Sequence, residues 1–338
     1  MVEDRAAQLK NQRIRKLAVA ALGFAISGVA LYLVFRGSFN LQKLASYVGR
    51  IQVLYLVLSV VFYWAGVAVI RSFLIRHLLH SVGDVKKVVA YRYICIGFLA
   101  NNILPFRMGE AVRTGGIAKR SQISFVSAAG GLVLERLMDL TMAAFIGFLA
   151  IQIAPIPDNV RIGILTTGAV LIGILVVLVL VARRGFKETE SLRYGPVIRF
   201  VWNLIARFTS GFGGLGSVDR VILTVVLSAM LWAVATGVIV LRLMAFDLPP
   251  SLPVALVLMA SISLGISIPS APSGIGVYHW LAAQALMIMG VEQDLALGFA
   301  FFSHLIDFTS SSGLGLACMV LEGMGWSDLT ADAKAGDE

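Results

Sequence analysis

Asn101-Asn102-Ile103-Leu104-Pro105-Phe106-Arg107-Met108-Gly109-Glu110 interrupts one apolar run, and Pro269-Ser270-Ala271-Pro272-Ser273-Gly274-Ile275-Gly276 interrupts another. Each break is followed, inside a further apolar run, by ionisable residues: Glu135-Arg136-Leu137-Met138-Asp139 after the first and Ser303-His304-Leu305-Ile306-Asp307 after the second. Gly109 and Gly276 stand 167 positions apart, and Asp139 and Asp307 stand 168 apart, so a broken helix followed by a charged helix occurs twice as a unit. Repeated interrupted helices at membrane depth are the sequence mark of a transporter core.

The surrounding composition puts that core in a bilayer. Of 338 residues, 58% are hydrophobic and only 14% charged, where a soluble domain carries about 25%. With a mean hydropathy of +0.87 the chain is that of a membrane protein. The net charge of +9 does not point to nucleic acid, because Lys and Arg flank apolar segments instead of sharing one soluble face. It sets topology and attracts anionic headgroups. Cys95 and Cys318 both lie in apolar runs and build neither a disulfide framework nor a zinc site; they are expected as small buried residues, and no metal or cofactor is expected.

Six runs are long enough to cross: 17–35, 53–74, 125–153, 162–182, 221–243 and 295–321. Two more, 91–118 and 252–289, hold the breaks, and each of their halves is too short to span. The first run follows Arg5, Lys10, Arg13, Arg15 and Lys16 but has no small-residue cleavage pattern after it, so it reads as a retained helix. Lys and Arg number five before residue 17, five over 71–92, four over 107–120 and seven over 183–220. The alternate connections hold only Arg36, Lys43 and Arg50, then Arg161, then none over 244–252. With a cytoplasmic N-terminus and re-entrant broken segments, every rich connection falls inside. The third and sixth spans then run in opposite directions.

The expected fold is therefore an all-α polytopic membrane protein with six spanning helices plus two re-entrant broken-helix hairpins arranged as an inverted repeat. It would sit in the inner (plasma) membrane with both termini cytoplasmic. Its parts are a basic N-terminus (1–16), a first membrane half (17–182, with re-entrant 91–118), a basic cytoplasmic connection (183–220), a second membrane half (221–322, with re-entrant 252–289) and an acidic tail (323–338) expected to be disordered. Within the connection, 196–210 has the spacing of an amphipathic helix lying on headgroups.

At the first break Pro105 removes a backbone donor and Gly109 permits the reversal, leaving backbone groups at depth for protein, water or ligand to satisfy. The restarting helix points its amides at the break, with about half a positive charge. Arg107 and Arg113 add full charges beside Asn101, Asn102 and Glu110, so the site suits a phosphate or carboxylate. A plain proline kink would explain the interruption but not these side chains. Further on, Glu135 and Asp139 share a helix face that Arg136 can also reach. A charge at the bilayer centre costs about 2.5–3.5 kcal/mol on insertion scales, so this trio requires an interior or watery face. An ion pair that fixes packing and an arginine that trades its carboxylates for a lipid phosphate are the two readings. In the second half Pro269, Pro272, Gly274 and Gly276 make the break and Asp307 aligns with Asp139. An unperturbed imidazole titrates near neutral pH, and for His279 and His304 both a hydrogen-bonded core position and a proton carrier stay open. The string Gly211-Phe212-Gly213-Gly214-Leu215-Gly216 fits a dinucleotide-binding pattern without its strand, so a flexible loop is expected there.

Taken together, these motifs are similar to those of the family built around the transmembrane, flippase-like region of lysylphosphatidylglycerol synthase, the multiple peptide resistance factor, and its stand-alone relatives. The resemblance is carried by Asn101-x-x-x-Pro105-x-Arg107-x-Gly109-Glu110-x-x-Arg113, by Glu135-Arg136-x-x-Asp139 and by the break from Pro269 to Gly276, and it covers about 17–321. It implies movement of a lipid, often with a charged or polar head, between leaflets. No soluble aminoacyl-transferase domain follows the sixth span, so lipid aminoacylation is not expected. His279 and Ser273 stand where relatives often carry glutamate and glycine.

The expected function is flippase-like translocation of a phospholipid or polyprenyl phosphate through a polar cleft where the hairpins meet. Arg107, Arg113 and Arg136 would hold the anion, Asn101, Asn102 and half-helix amides would complete the site, and Glu110, Glu135, Asp139 and Asp307 would compete for the arginines and reset it. The chain has no Gly-x-x-x-x-Gly-Lys-Ser/Thr motif, so gradients or a downhill lipid supply would drive it. Membrane lipids with anionic head groups are the expected partners; a homodimer and a lipid-modifying partner enzyme stay open. Two other classes compete. One is a membrane-embedded transferase or hydrolase with Glu135, Asp139 and a histidine in acid–base roles, which the duplicated broken helix argues against. The other is a non-transporting scaffold.

Overall fold

The computed structural model describes residues 22–33, 47, 49–104, 108–154, 156, 158–184, 195–266, 270–326 and 328–329. Residues 1–16, Pro105, Arg107, Pro269 and the tail beyond 329 lie outside the described residues, as do both ends of the first expected span, 17–21 and 34–35. Among the described residues the regular structure is all helical: α1 (Leu22–Leu33), α2 (Val53–Leu79), α3 (Lys87–Ile103), α4 (Gly109–Ser121), α5 (Phe125–Ile153), α6 (Asp158–Arg184), α7 (Pro196–Ser210), α8 (Val218–Ala245), α9 (Leu252–Ile266), α10 (Val277–Ile288) and α11 (Gln293–Leu321).

Four of these helices, α2, α6, α8 and α11, are long and apolar enough to cross a membrane. The fifth long one, α5, is 29 residues long like α11 but carries Glu135, Arg136 and Asp139 at its centre. Its start is fixed by Ser124, whose Oγ accepts the Ser127 N–H at 3.2 Å. The helix α7 starts on Pro196, where a missing N–H costs nothing. The helix α2 runs past the expected end at residue 74 to Leu79, with a π-helical turn over Tyr63–Ala68. Arg71 of α2 and Arg113 of α4, counted above among the topology-setting charges, are both buried inside the molecule.

Residue contacts fix how the helices run. Along α2 and α8, the Gln52 N–H bonds Ala245 O (2.8 Å), Gly66 meets Val234, and the His77 ring meets Arg220 O (3.1 Å), so the two are antiparallel. Leu79 faces Gly131 and Arg71 faces Asp139, so α2 and α5 are antiparallel. Arg242 faces Asp307 and Phe246 faces Phe299, so α8 and α11 are antiparallel too. It follows that α5 and α11 run in opposite directions. Gly97 against Arg113 and Tyr93 against Gly116 make α3 and α4 an antiparallel hairpin. The helix α3 packs on α11 while α9 packs on α5, so each broken segment leans on the charged helix of the other half. Small residues at these crossings let backbones approach, which in lipid replaces hydrophobic burial as the basis of helix association.

The glycine string expected to be a flexible loop is a packed knuckle. Gly211 to Leu215 are buried; a Cβ on Gly211 would meet the Ser127 carbonyl, and one on Gly130 the Phe208 carbonyl. Without side chains, the turn after α7 lies directly on the first turns of α5. It thereby ties to the core a helix whose Phe200 is 71% exposed, as the amphipathic spacing requires. Gly211→Val is expected to lower unfolding stability in detergent by about 1–3 kcal/mol. Gly173→Val, on α6 where a Cβ would meet nothing, is expected to leave the unfolding midpoint in place.

Candidate functional site

Three arginines and three carboxylates from three helices close into a ring of alternating charge. Arg71 of α2 bonds Glu135 of α5 and grips Asp139 with both terminal nitrogens (2.8 and 3.2 Å). Glu135 accepts two bonds from Arg113 of α4 (3.1 and 3.2 Å), and Arg113 reaches Glu110 on its own helix (3.1 Å). Glu110 takes Arg136, which closes the ring on Asp139 (3.2 Å). Trp232 of α8 also donates to Asp139 (3.2 Å). Two of the six links come from spacing alone, since Glu110–Arg113 and Arg136–Asp139 are both one turn apart on a helix. The formal charge is zero, which is what allows the wholly buried Glu135 and the 3%-exposed Arg113 to sit where a lone charge would cost several kcal/mol. Arg136 differs from the others: 38% of its side chain is exposed.

The other half carries a smaller version. Arg242 of α8 holds Asp307 of α11 in a two-bonded fork, one bond 2.7 Å long. This pair joins α8 to α11 as Arg71–Asp139 joins α2 to α5. The aspartates are 168 apart and the arginines 171, a difference close to one helical turn.

Between the two halves lies a cavity of about 460 Å³, walled by Arg71, Arg136, Asp139, Trp232, Arg242 and Asp307 on the polar side and by Leu140, Leu231, Met259 and Ile262 on the apolar side. A smaller cavity of about 220 Å³ is lined by Asn101, Asn102, Glu110, Ser273, His304 and Ser311. Tyr63, on the π-helical turn, lines both, as do Arg136, Tyr278 and Asp307; these four form the threshold between the cavities. The Nε–H groups of Arg71 and Arg242 are buried without an acceptor among the described residues. No cluster of three or more His, Cys, Asp or Glu among the described residues could hold a metal ion.

The smaller cavity is bounded by a directed chain of hydrogen bonds. The Gly276 N–H donates to His279 Nδ1 (3.2 Å), so the neutral ring carries its hydrogen on Nε2. That hydrogen faces His304 Nδ1 (3.2 Å), so His304 also carries its own on Nε2 and donates to Ser273 O (2.9 Å). The Ser273 hydroxyl donates to Asn102 Oδ1 (3.1 Å), and Asn102 Nδ2 donates to Ser311 (2.7 Å) and Ser312 (3.0 Å). The second break is thus bonded to the end of α3 and to α11. Its reversal rests on left-handed Ser273, Gly274 and Gly276, with φ of 58°, 71° and 89°. At the first break Asn101 Oδ1 caps α4 by accepting the Gly109 N–H (2.9 Å).

Of the residues singled out from the sequence, Asn101, Asn102, Glu110, Pro272, Gly274 and His304 line the smaller cavity, Asp139 the larger, and Arg136 and Asp307 both. Arg113 and Glu135 line neither and form the buried side of the ring. Gly109 and Gly276 start helices, and His279 stands behind His304. Arg71 and Arg242 were not legible as site residues: one reads as a flanking charge, the other sits quietly inside an apolar run. Their signal is an arginine within a span that has no acid one turn away on its own helix and must find a partner elsewhere.

A family model described as the lysylphosphatidylglycerol synthase TM region matches residues 20–315. No curated protein and no solved structure matches the chain.

Proposed function

Since the chain belongs to the lysylphosphatidylglycerol synthase transmembrane-region family, whose members are membrane proteins related to lipid handling, we propose that it translocates a lipid with a phosphate-bearing head between leaflets. The observation that carries this reading is the threshold: a half-buried arginine and an aspartate from opposite halves, shared by two cavities. The headgroup exchanges with Glu110 and Asp139 for Arg136, passes Tyr63 and Tyr278, and leaves as the carboxylates close again on the arginine. Acyl or prenyl tails stay in the bilayer, and the lipid is not chemically altered.

The same proposal places the chain in the inner membrane as six crossings and two re-entrant hairpins related by inversion. Supporting it are the opposed directions of α5 and α11, the reciprocal packing of α3 on α11 and α9 on α5, and the repeated Arg–Asp pair. Cysteines at positions 10 and 193 should label from the same, cytoplasmic side; opposite-side labelling would overturn this topology. Liposomes with a labelled phospholipid or polyprenyl phosphate test the function. Transport moves the label between leaflets and leaves the lipid mass unchanged, whereas a changed mass would favour an embedded transferase or hydrolase.

A further inference from the structure

We infer that the buried His279–His304 pair is a binding site for a single proton, and that its occupancy unlocks the second hairpin from α3 and α11. The chain of donors described above leaves two nitrogen lone pairs, both in use: His279 Nδ1 accepts from Gly276 N–H, and His304 Nδ1 accepts from His279 Nε2–H. A proton added to His304 Nδ1 sets two donors against each other across a 3.2 Å contact. His279 cannot answer by moving its hydrogen to Nδ1, because the Gly276 amide already points there. A proton added to His279 meets that same amide. Either way one link breaks, and a ring must turn or α10 must draw back from α11.

Aromatic and charged side chains enclose the pair. Asp307 lies one turn along the same helix, held by Arg242 from α8, and Tyr278 stacks on the His304 ring with centroids 4.7 Å apart. Phe301 covers His279 at 5.9 Å, and Tyr63, Glu110 and Arg136 complete the charged and titratable groups of the cavity wall. A turned His304 releases Ser273 O, and with it the Ser273–Asn102 bond that joins the two breaks. Because Ser273 and His304 both wall the smaller cavity, a proton arriving there widens the space beside the threshold. The consequence for transport rests on the reading above; the latch itself does not.

The test uses the whole chain in nanodiscs. Nitrogen-15 spectra near neutral pH should show both histidines neutral with the hydrogen on Nε2. Amide hydrogen exchange over 270–279, corrected for the intrinsic effect of pH, should rise about tenfold on acidification by about two units, roughly the worth of one hydrogen bond. His304→Gln, which can still donate to Ser273 O but does not titrate, should flatten that response, and so should His279→Asn. A wild type with equal exchange at both pH values overturns the inference, as does a pH response that survives in both variants. If the hairpin opens with acid but no labelled lipid moves, the latch stands and the transport reading fails. If lipid moves while the hairpin stays closed at both pH values, the reverse holds.

Discussion

Arg136→Ala is expected to slow lipid translocation in proteoliposomes about 100-fold while changing unfolding stability by no more than about 1 kcal/mol. The two effects separate because of where this arginine sits. Its side chain is the most open of the ring, and its partners keep others when it is gone: Glu110 retains Arg113, and Asp139 retains Arg71 and Trp232. What is lost is the cation that faces both cavities. A charge-assisted contact to phosphate contributes about 1.5–3 kcal/mol, and 2.7 kcal/mol is about a hundredfold in rate. Arg136→Lys, which keeps the charge but not the fork, should lie between. Full translocation by a well-folded Arg136→Ala protein would remove the threshold from the mechanism.

Glu135→Ala should do the opposite and chiefly destabilise, by about 3–5 kcal/mol, because it leaves three arginines against two carboxylates and so one positive charge uncompensated in the interior. Glu135 is wholly buried and receives bonds from both arginines. Replacing Arg113 by Met in the same chain should recover part of the loss, since acid and base leave the interior together. Unfolding of the two single variants and the double variant in one detergent gives the coupling. Additive losses would mean that the ring is not a single electrostatic unit.

Much of the architecture could be read from the residues, and the reason is periodicity. The breaks at Gly109 and Gly276, the 29-residue helices that follow them and the amphipathic helix at 196–210 all announce themselves through proline, glycine and apolar spacing. The partners of the charges did not. Glu135, Arg136 and Asp139 are conspicuous because they sit together, but the residues that neutralise them from other helices are single arginines near the ends of apolar runs. There an anchoring side chain and a buried one look alike. The glycine string near 211 misled for a related reason. Glycine serves a mobile turn and a dense backbone contact equally well, and only the neighbours in space distinguish them.

All six members of the alternating ring lie before residue 140, whereas the Arg242–Asp307 fork needs two helices from the C-terminal part of the chain. During synthesis the emerging N-terminal half can therefore neutralise its own buried charges before the ribosome reaches α8. A helix as polar as α5 can pair its charges with α2 and α4 as soon as these are made, and need not wait for the rest of the protein.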